Sequence, residues 1–292
     1  MLEQEIATLI EAEGLPPEFG QTVERFYVPL ANHLTDACRA HISKPLVVGI
    51  NGGQGSGKST LALFLKLLLE EGHRLNTAVL SLDDLYLTRA ERIALAELHH
   101  PLLATRGVPG THDVALGMRL LDGLAGSNSE AVSIPHFDKA QDDRAPLADW
   151  TVVSAPVDIV LLEGWCVGAR PQAAAALDVP VNQLEQDEDR DGIWRSYVNA
   201  QLSGPYADFF AKIDHLVMLK VPSFGSVEAF RALQESKLRE KAGSIGLMDD
   251  AAIKQFIMHY ERLTRHMLAE MPDRANVVLQ LNDKHNFVEI TL

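Results

Sequence analysis

An α/β fold, with a mostly parallel sheet flanked by helices, is what this sequence predicts, and three observations carry that expectation. From Pro45 onward, short apolar runs alternate with helix-length segments, the pattern of parallel strands joined by crossover helices. A glycine-rich turn, Gly52-Gly53-Gln54-Gly55-Ser56-Gly57-Lys58-Ser59-Thr60, follows the apolar Val47-Val48-Gly49-Ile50 and opens the helical Leu61-Ala62-Leu63-Phe64-Leu65. Two further apolar runs end in carboxylates, at the edge where an open α/β sheet binds its ligands.

Residues 1–44 precede this alternation. Phe19, Val23, Phe26, Tyr27, Leu30 and Leu34 form one apolar stripe at helical spacing, with Pro29 expected to kink or divide the helix. They predict an N-terminal helical extension packed on a main domain of residues 45–292. Within that domain, strands are predicted at Leu46–Ile50, Ala78–Leu82, Ala131–Pro135, Asp158–Leu162, His215–Lys220 and Val277–Leu281. Helices are predicted over 58–71, 112–124, 192–212, 226–241 and 250–270, with Thr111, Ser226 and Asp249 as N-caps of three of them. Thr88 to Gly110 and His136 to Trp150 read as long excursions, which in a compact domain are usually functional or mobile.

Composition narrows the partners. The chain has 292 residues, is 47% hydrophobic and carries a formal net charge of -14, so it repels nucleic-acid backbones and anionic membrane surfaces and favours small-molecule chemistry. The densest apolar stretch, Leu61 to Leu69, is too short to span a bilayer and is broken by Lys66. The acidic start Met-Leu-Glu-Gln-Glu-Ile lacks the basic opening of a signal peptide, and Cys38 and Cys166 lie too far apart to suggest a disulfide framework or a metal-ligand pair. These features predict a cytoplasmic protein and leave its oligomeric state open.

The glycine-rich turn satisfies the P-loop pattern, Gly52 followed after four residues by Gly57-Lys58-Ser59. Glycines let backbone N–H groups wrap phosphates, and the following helix adds its positive N-terminal dipole. Lys58 supplies a charge to the β- and γ-phosphates, Ser59 a hydroxyl for magnesium, and Thr60 a bond to an α-phosphate oxygen. The nearest string to a guanine-reading Asn-Lys-x-Asp is Asn282-Asp283-Lys284-His285, which does not fit. ATP, with Mg2+, is therefore the expected nucleotide. The run Ala78–Leu82 leads into Asp83-Asp84-Leu85-Tyr86, where a carboxylate beside the phosphates suits a base that takes the proton of an attacking hydroxyl. Neighbouring side chains at a strand end point in opposite directions, and Asp83 is favoured over a simple cap. The run Asp158–Leu162 ends in Glu163-Gly164, an acidic residue suited to the magnesium side, with Cys166 read as a small buried residue near the site. Asp187-Glu188-Asp189-Arg190-Asp191-Gly192 copies half of an EF-hand loop but has Val198 at the twelfth position, so it reads as a solvated acidic helix entry.

Together, the P-loop, Asp83-Asp84-Leu85-Tyr86 and Glu163-Gly164 resemble the phosphoribulokinase, uridine kinase and pantothenate kinase superfamily. More narrowly, His100-Pro101-Leu102-Leu103, the run Arg106 to Asp113, Glu163-Gly164-Trp165 and Tyr260-Glu261-Arg262-Leu263-Thr264 are similar to the P-loop type of D-glycerate 3-kinase. The resemblance spans roughly residues 45 to 285. It implies a P-loop kinase fold, magnesium-ATP as phosphoryl donor, Asp83 as the residue that activates the acceptor hydroxyl, and Glu163 as the acid on the magnesium-side strand. It also implies an Arg-bearing lid helix at Phe230-Arg231-Ala232-Leu233-Gln234-Glu235, continuing to Lys237 and Arg239, with Arg239 as a phosphate ligand.

A carboxylate-bearing acceptor such as glycerate needs a fixed cation. Arg106 is the favoured clamp, on a loop stiffened by Gly107, Pro109 and Gly110, with Thr111, His112 and Asp113 at the next helix start. Helix capping is an equal reading for Thr111 and Asp113. Tyr86, His136 and Lys139 complete the acceptor wall, with Arg144 nearby. The expected activity is transfer of the ATP γ-phosphoryl group to a hydroxyl of a small-molecule acceptor, D-glycerate leading. The alternatives are a kinase for another sugar acid, a nucleoside or a pantothenate-like alcohol, or a nucleotide-dependent regulatory ATPase.

Overall fold

A computed structural model of the chain describes residues 2–43, 45–126, 131–242 and 250–292, with the side chains of 234–242, 250 and 251 outside what is described. The cap expected at Asp249 and the side chains of Lys237 and Arg239 lie outside the described residues. Helices α1 (Leu2–Ala12), α2 (Phe19–Thr22) and α3 (Val28–Ala40) come first. They are followed by β1 (Leu46–Gly52), α4 (Lys58–Leu67), β2 (Thr77–Ser81), α5 (Arg89–Leu98) and α6 (Val114–Ala125). Next come the short strands β3 (Ala131–Ile134), β4 (Phe137–Asp138), β5 (Asp143–Arg144) and β6 (Thr151–Ser154), then β7 (Ile159–Gly164). Helices α7 (Gln183–Glu188), α8 (Ile193–Ser203) and α9 (Pro205–Phe210) lead to β8 (His215–Lys220), α10 (Phe224–Ala242) and α11 (Asp250–Glu270). Strands β9 (Val277–Leu281) and β10 (Phe287–Thr291) follow.

The main sheet runs β10-β9-β8-β1-β7-β2, parallel except for the β10–β9 pair. Its central strands are buried on both faces, which is why they read as unbroken apolar runs. Alternate residues serve two cores. Val48, Ile50, Ile159 and Leu161 pack with Leu61, Phe64 and Leu65 of α4 and with Tyr27, Leu30 and Leu34 of the N-terminal helices. Val47, Val160 and Leu162 face the other way, onto Leu120 and Leu124 of α6, Tyr206 and Phe209 of α9, and Leu263 and Met267 of α11.

Several expectations need correction. Pro29 does not divide the first helix: the backbone stays helical from Phe19 to Ala40, through one wide turn at Val23–Tyr27 in which the Val28 N–H reaches back to the Val23 carbonyl. A turn of that width absorbs the bond that proline cannot make. The helix predicted over 192–212 is two helices, broken at Gly204 before Pro205, and α4 gives way to a second wide turn at Leu68–Gly72. Ala131–Pro135 does not join the parallel sheet; β3 pairs antiparallel with β6 in a separate ribbon. Thr88–Gly110 is largely structured, because Thr88 and Glu91 form a capping box that opens α5. Thr111 is not the cap of α6; Asp113 is, accepting from the Leu116 N–H at 2.8 Å. Ser226 lies inside α10 and donates to Asp283.

The sequence reading also missed β10. Asn282-Asp283-Lys284-His285 is the hairpin turn that feeds it, with Asn282 Oδ1 accepting from the Lys284 and Asn286 N–H groups, each at 3.0 Å. The short edge strand is held by Phe287, whose ring lies 5.7 Å from both Phe26 and Tyr27. Nor is the acidic run at 187–192 wholly solvated. Asp189 is buried, ion-paired to Arg195 at 2.9 Å, and accepts from the Trp194 and Arg195 N–H groups at the start of α8. No helix among the described residues is long and apolar enough to cross a membrane.

Because Leu34 is fully buried in the core shared with β1 and β7, Leu34→Ala should cost about 2–5 kcal/mol in urea unfolding. A loss below about 1 kcal/mol would show that the N-terminal helices melt independently of the sheet.

Candidate active site

The site is assembled where β1, β7 and β2 end. The parallel register sets Ile50 and Ser81 opposite Glu163, so the P-loop, Glu163 and Asp83 share one sheet edge. The loop needs glycine at two points for separable reasons. Gly57, at the N-terminus of α4, has φ of 94, a backbone state that side chains rarely adopt. At Gly55 a Cβ would stand 2.8 Å from the backbone of Phe230, so α10 rests directly on the loop.

Lys58 donates to the Gly53 carbonyl at 3.1 Å, curling over the cradle. Burial pushes its pKa down, opposed by the nearby Glu163 and Asp83 carboxylates. Burial raises the Glu163 carboxyl, opposed by Lys58 and by two hydroxyls. Those hydroxyls are Ser59 and Ser81, both donating to Glu163 Oε1 at 2.9 Å. Gln54 Oε1 and Ser56 Oγ are buried in the loop with no partner among the described residues. No group of three or more His, Cys, Asp or Glu among the described residues is placed to hold a metal. The Ser59 hydroxyl and Glu163 carboxylate instead suit magnesium, which takes one or two protein oxygens and draws the rest from phosphates and water. Cys166 is fully buried, and burial raises its thiol pKa.

The two adjacent aspartates diverge because, contrary to the strand-end expectation, they lie on a 3-10 turn, Leu82–Leu85, where successive side chains are about 120° apart. Asp83 accepts from Tyr86 Oη at 3.0 Å and from Lys139 Nζ at 2.7 Å. Burial would raise its pKa, but Lys139 and then Lys58 outweigh that and hold it at about 2. Asp84 turns away: its Oδ1 accepts from the Phe137 N–H at 2.9 Å and lies 3.3 Å from His136 Nδ1. His136 is thereby an exposed partner of Asp84, off the Asp83 side.

His112 stacks on Tyr86 with ring centroids 4.5 Å apart. Tyr206 Oη accepts from the Gly110 N–H and lies 2.6 Å from His112 Nδ1. Burial lowers the His112 pKa to about 3, leaving a neutral ring whose Nε2 has no partner among the described residues. Thr111 ties its own loop together, accepting from the Gly107 N–H and donating to the Val108 carbonyl.

Arg106 is engaged. Its Nη1 donates to the Asp142 carboxylate, and its guanidinium lies over Phe137 at 5.6 Å. Phe137 in turn meets Tyr86 edge-on at 5.2 Å, which connects Arg106 to the Asp83 side through two rings. Asp142 also takes Arg92 Nη2 at 2.9 Å. Arg144 donates to the Tyr86 carbonyl and lies 3.6 Å from Asp113. The loop bearing Arg106 is pinned from β7 and α11, by Trp165 Nε1 on the Gly107 carbonyl at 2.8 Å and Tyr260 Oη on the Arg106 carbonyl at 3.2 Å. The lid-helix region contributes Phe230 against the loop, while Arg231 lies over Phe256 at 5.8 Å.

Asp142, Tyr206 and Arg92 escaped the sequence reading. The Thr88-x-x-Glu91 cap would have revealed the helix that carries Arg92; nothing local marks Asp142 or Tyr206.

No family model matches the chain. An uncharacterized kinase of Schizosaccharomyces pombe is 36% identical over 227 residues, 74% of this chain and 79% of that protein. The chain belongs to the P-loop kinases of the phosphoribulokinase, uridine kinase and pantothenate kinase superfamily. The chloroplastic D-glycerate 3-kinase of Arabidopsis thaliana is 29% identical over 251 residues, 80% of this chain but only 52% of that protein. Among solved structures, a D-glycerate 3-kinase from Cryptococcus neoformans superposes with a TM-score of 0.73 at 26% identity, covering 93% of this chain and 98% of that one. This P-loop kinase is thus an ATP- and Mg2+-dependent phosphotransferase with an alcohol group of a small molecule as acceptor.

The divergence of the two aspartates yields a direct comparison. Asp83→Asn should lower turnover by about two to four orders of magnitude, the span for a lost general base, whereas Asp84→Asn should act mainly on stability. Steady-state ADP release on both variants checks this, and a larger loss at Asp84 would reverse the assignment.

Proposed function

We propose that the acceptor is D-glycerate and that the chain is a glycerate kinase. The observation that carries this reading is the guanidinium of Arg106, fixed over Phe137 and already gripping a carboxylate, with only the rings of Phe137 and Tyr86 between it and Asp83. A guanidinium that holds one carboxylate through a single nitrogen retains other N–H groups for a second. The names of the Arabidopsis and Cryptococcus relatives support the same acceptor.

On this reading the P-loop backbone from Gly52 to Thr60 cradles the phosphates, and Lys58 acts on the β- and γ-oxygens. The resemblance adds Arg239 of the lid helix as a phosphate ligand, a side chain outside the described residues. Magnesium, held by Ser59 and Glu163, supplies charge neutralisation on the phosphates when bound with ATP. Asp83, ionised throughout the neutral range, orients the acceptor hydroxyl and takes its proton as the oxygen attacks the γ-phosphorus. Tyr86 holds the Asp83 carboxylate in place, and Arg106 and Lys139 bind the acceptor carboxylate. His112, neutral, offers its unpartnered Nε2 to an acceptor hydroxyl. His136 stands further out, as an outer wall of the acceptor site.

Residues 1–44 belong to this reading as a helical extension that braces the sheet, a boundary of chain position and not of packing, since the same core holds both parts. A cytoplasmic location is proposed on the acidic net charge of -14 and the two buried thiols.

D-glycerate should stimulate ADP release strongly, and glycerol, which lacks the carboxylate, should not. A site built around a charge rejects a partner that leaves it unpaired. Arg106→Lys should raise KM for glycerate about tenfold while leaving KM for ATP nearly unchanged, because lysine cannot reproduce the two-pronged geometry. Equal stimulation by glycerol and glycerate overturns the carboxylate clamp; stimulation by a nucleoside or pantothenate instead transfers the proposal to that acceptor.

A further inference from the structure

Both oxygens of the Asp83 carboxylate are occupied, one by Tyr86 at 3.0 Å and the other by Lys139 at 2.7 Å. A carboxylate bearing an ammonium on one oxygen and a phenol on the other is a poor proton acceptor. The two partners differ in kind. Tyr86 is buried between His112 and Phe137, whereas 61% of the Lys139 side chain is exposed, and its long stem is free to swing.

Lys139 opens the tight turn that joins β4 to β5, and the far end of that turn is Asp142, the residue gripped by Arg106. The turn is anchored at Asp142, which also binds Arg92, a side chain only 1% exposed that donates in addition to the Leu87 and Ala104 carbonyls. Asp138 Oδ1 fixes its start, accepting from the Ala140 and Gln141 N–H groups. The backbone is therefore pinned at both ends, and the Lys139 side chain is its one mobile charge. A carboxylate bound at Arg106 would sit at the same turn as that ammonium.

We propose that Lys139 masks Asp83 until an anionic acceptor arrives, and that the acceptor's carboxylate draws the ammonium from Asp83 onto itself, making acceptor charge a condition for the base to act. The inference rests on the reading of Asp83 as the base. Once the Asp83 oxygen is free, it takes the proton of the acceptor hydroxyl as the acceptor oxygen–γ-phosphorus bond forms. The bond from that phosphorus to the β–γ bridging oxygen breaks, and its electron pair leaves with ADP. Without an acceptor, water is the competing hydroxyl, and a masked carboxylate does not take its proton. Lys139 is on this account a specificity-determining residue that separates glycerate from glycerol and from water.

The test compares the wild-type chain with Lys139→Met and Lys139→Arg, measuring ADP release with ATP and magnesium alone, with added glycerol and with added D-glycerate. Lys139→Met should raise acceptor-free ADP release about tenfold, raise KM for glycerate, and shrink the glycerate-to-glycerol ratio by a similar factor, because the unmasked carboxylate is the more basic. Lys139→Arg should restore the low acceptor-free rate. Since Lys139 is exposed, the Met variant should melt with the wild type, so a change in rate is not a change in folding. Acceptor-free release that stays level or falls in the Met variant overturns the mask and leaves Lys139 an ordinary acceptor contact. If glycerate fails to stimulate the wild type, the glycerate reading falls, and the acceptor-free comparison still decides the role of Lys139.

Discussion

Glu163 and Lys58 are charges taken out of water at the end of the sheet, and each is tolerated because of the other. Burial raises the pKa of the carboxyl and lowers that of the ammonium, while their mutual attraction opposes both shifts. Two serine hydroxyls supply the rest, and they come from separate elements, Ser59 from α4 and Ser81 from β2. That arrangement holds only if the β1–β7–β2 register is correct to the residue. A slip of one position would turn Glu163 into a core face and leave a buried charge unpaired, at a cost of about 3–5 kcal/mol. Strand pairing, the start of α4 and the position of Asp83 are all tied to that one pair of charges.

The nucleotide half of the site was legible because its chemistry is local in the chain. Gly52 to Thr60 carries loop, charge and hydroxyl in nine consecutive residues, and the strand before it and helix after it were visible as apolar runs. Asp83 and Glu163 were legible for a related reason: Glu163 lies at the end of buried strand β7, and Asp83 lies in the short 3-10 turn that directly follows β2.

The half proposed to bind the acceptor was legible only in part, because its contacts join residues far apart in sequence. Arg106 was visible as a cation on a glycine-bearing loop, but its partner Asp142 is 36 residues away. Tyr206 reaches His112 across 94 residues, and no local spacing encodes that bond. Propensity also lost to packing in specific places. Pro29 is absorbed by a wide helical turn, and β3, read as a sheet strand from its apolar residues, is diverted into a ribbon because it stays partly exposed. Edge strand β10 alternates too briefly to stand out, and it is fixed by Phe287 meeting the rings of Phe26 and Tyr27.

The indole of Trp165 donates to the Gly107 carbonyl and stands edge-on to Tyr260 at 4.8 Å, one residue from the guanidinium-bearing Arg106. Indole emission depends on hydrogen bonding and on the charges nearby. A shift of the Arg106 loop on binding of the proposed acceptor would therefore have an optical signature written into the chain, without any attached dye. Trp194 packs in one cluster with Val108 of that same loop and with Leu102, Leu103 and Leu184, whereas Trp150 donates its indole N–H to the Ala145 carbonyl. Two of the three tryptophans thus lie against the loop of the proposed acceptor wall, and their emission can follow that loop by light alone.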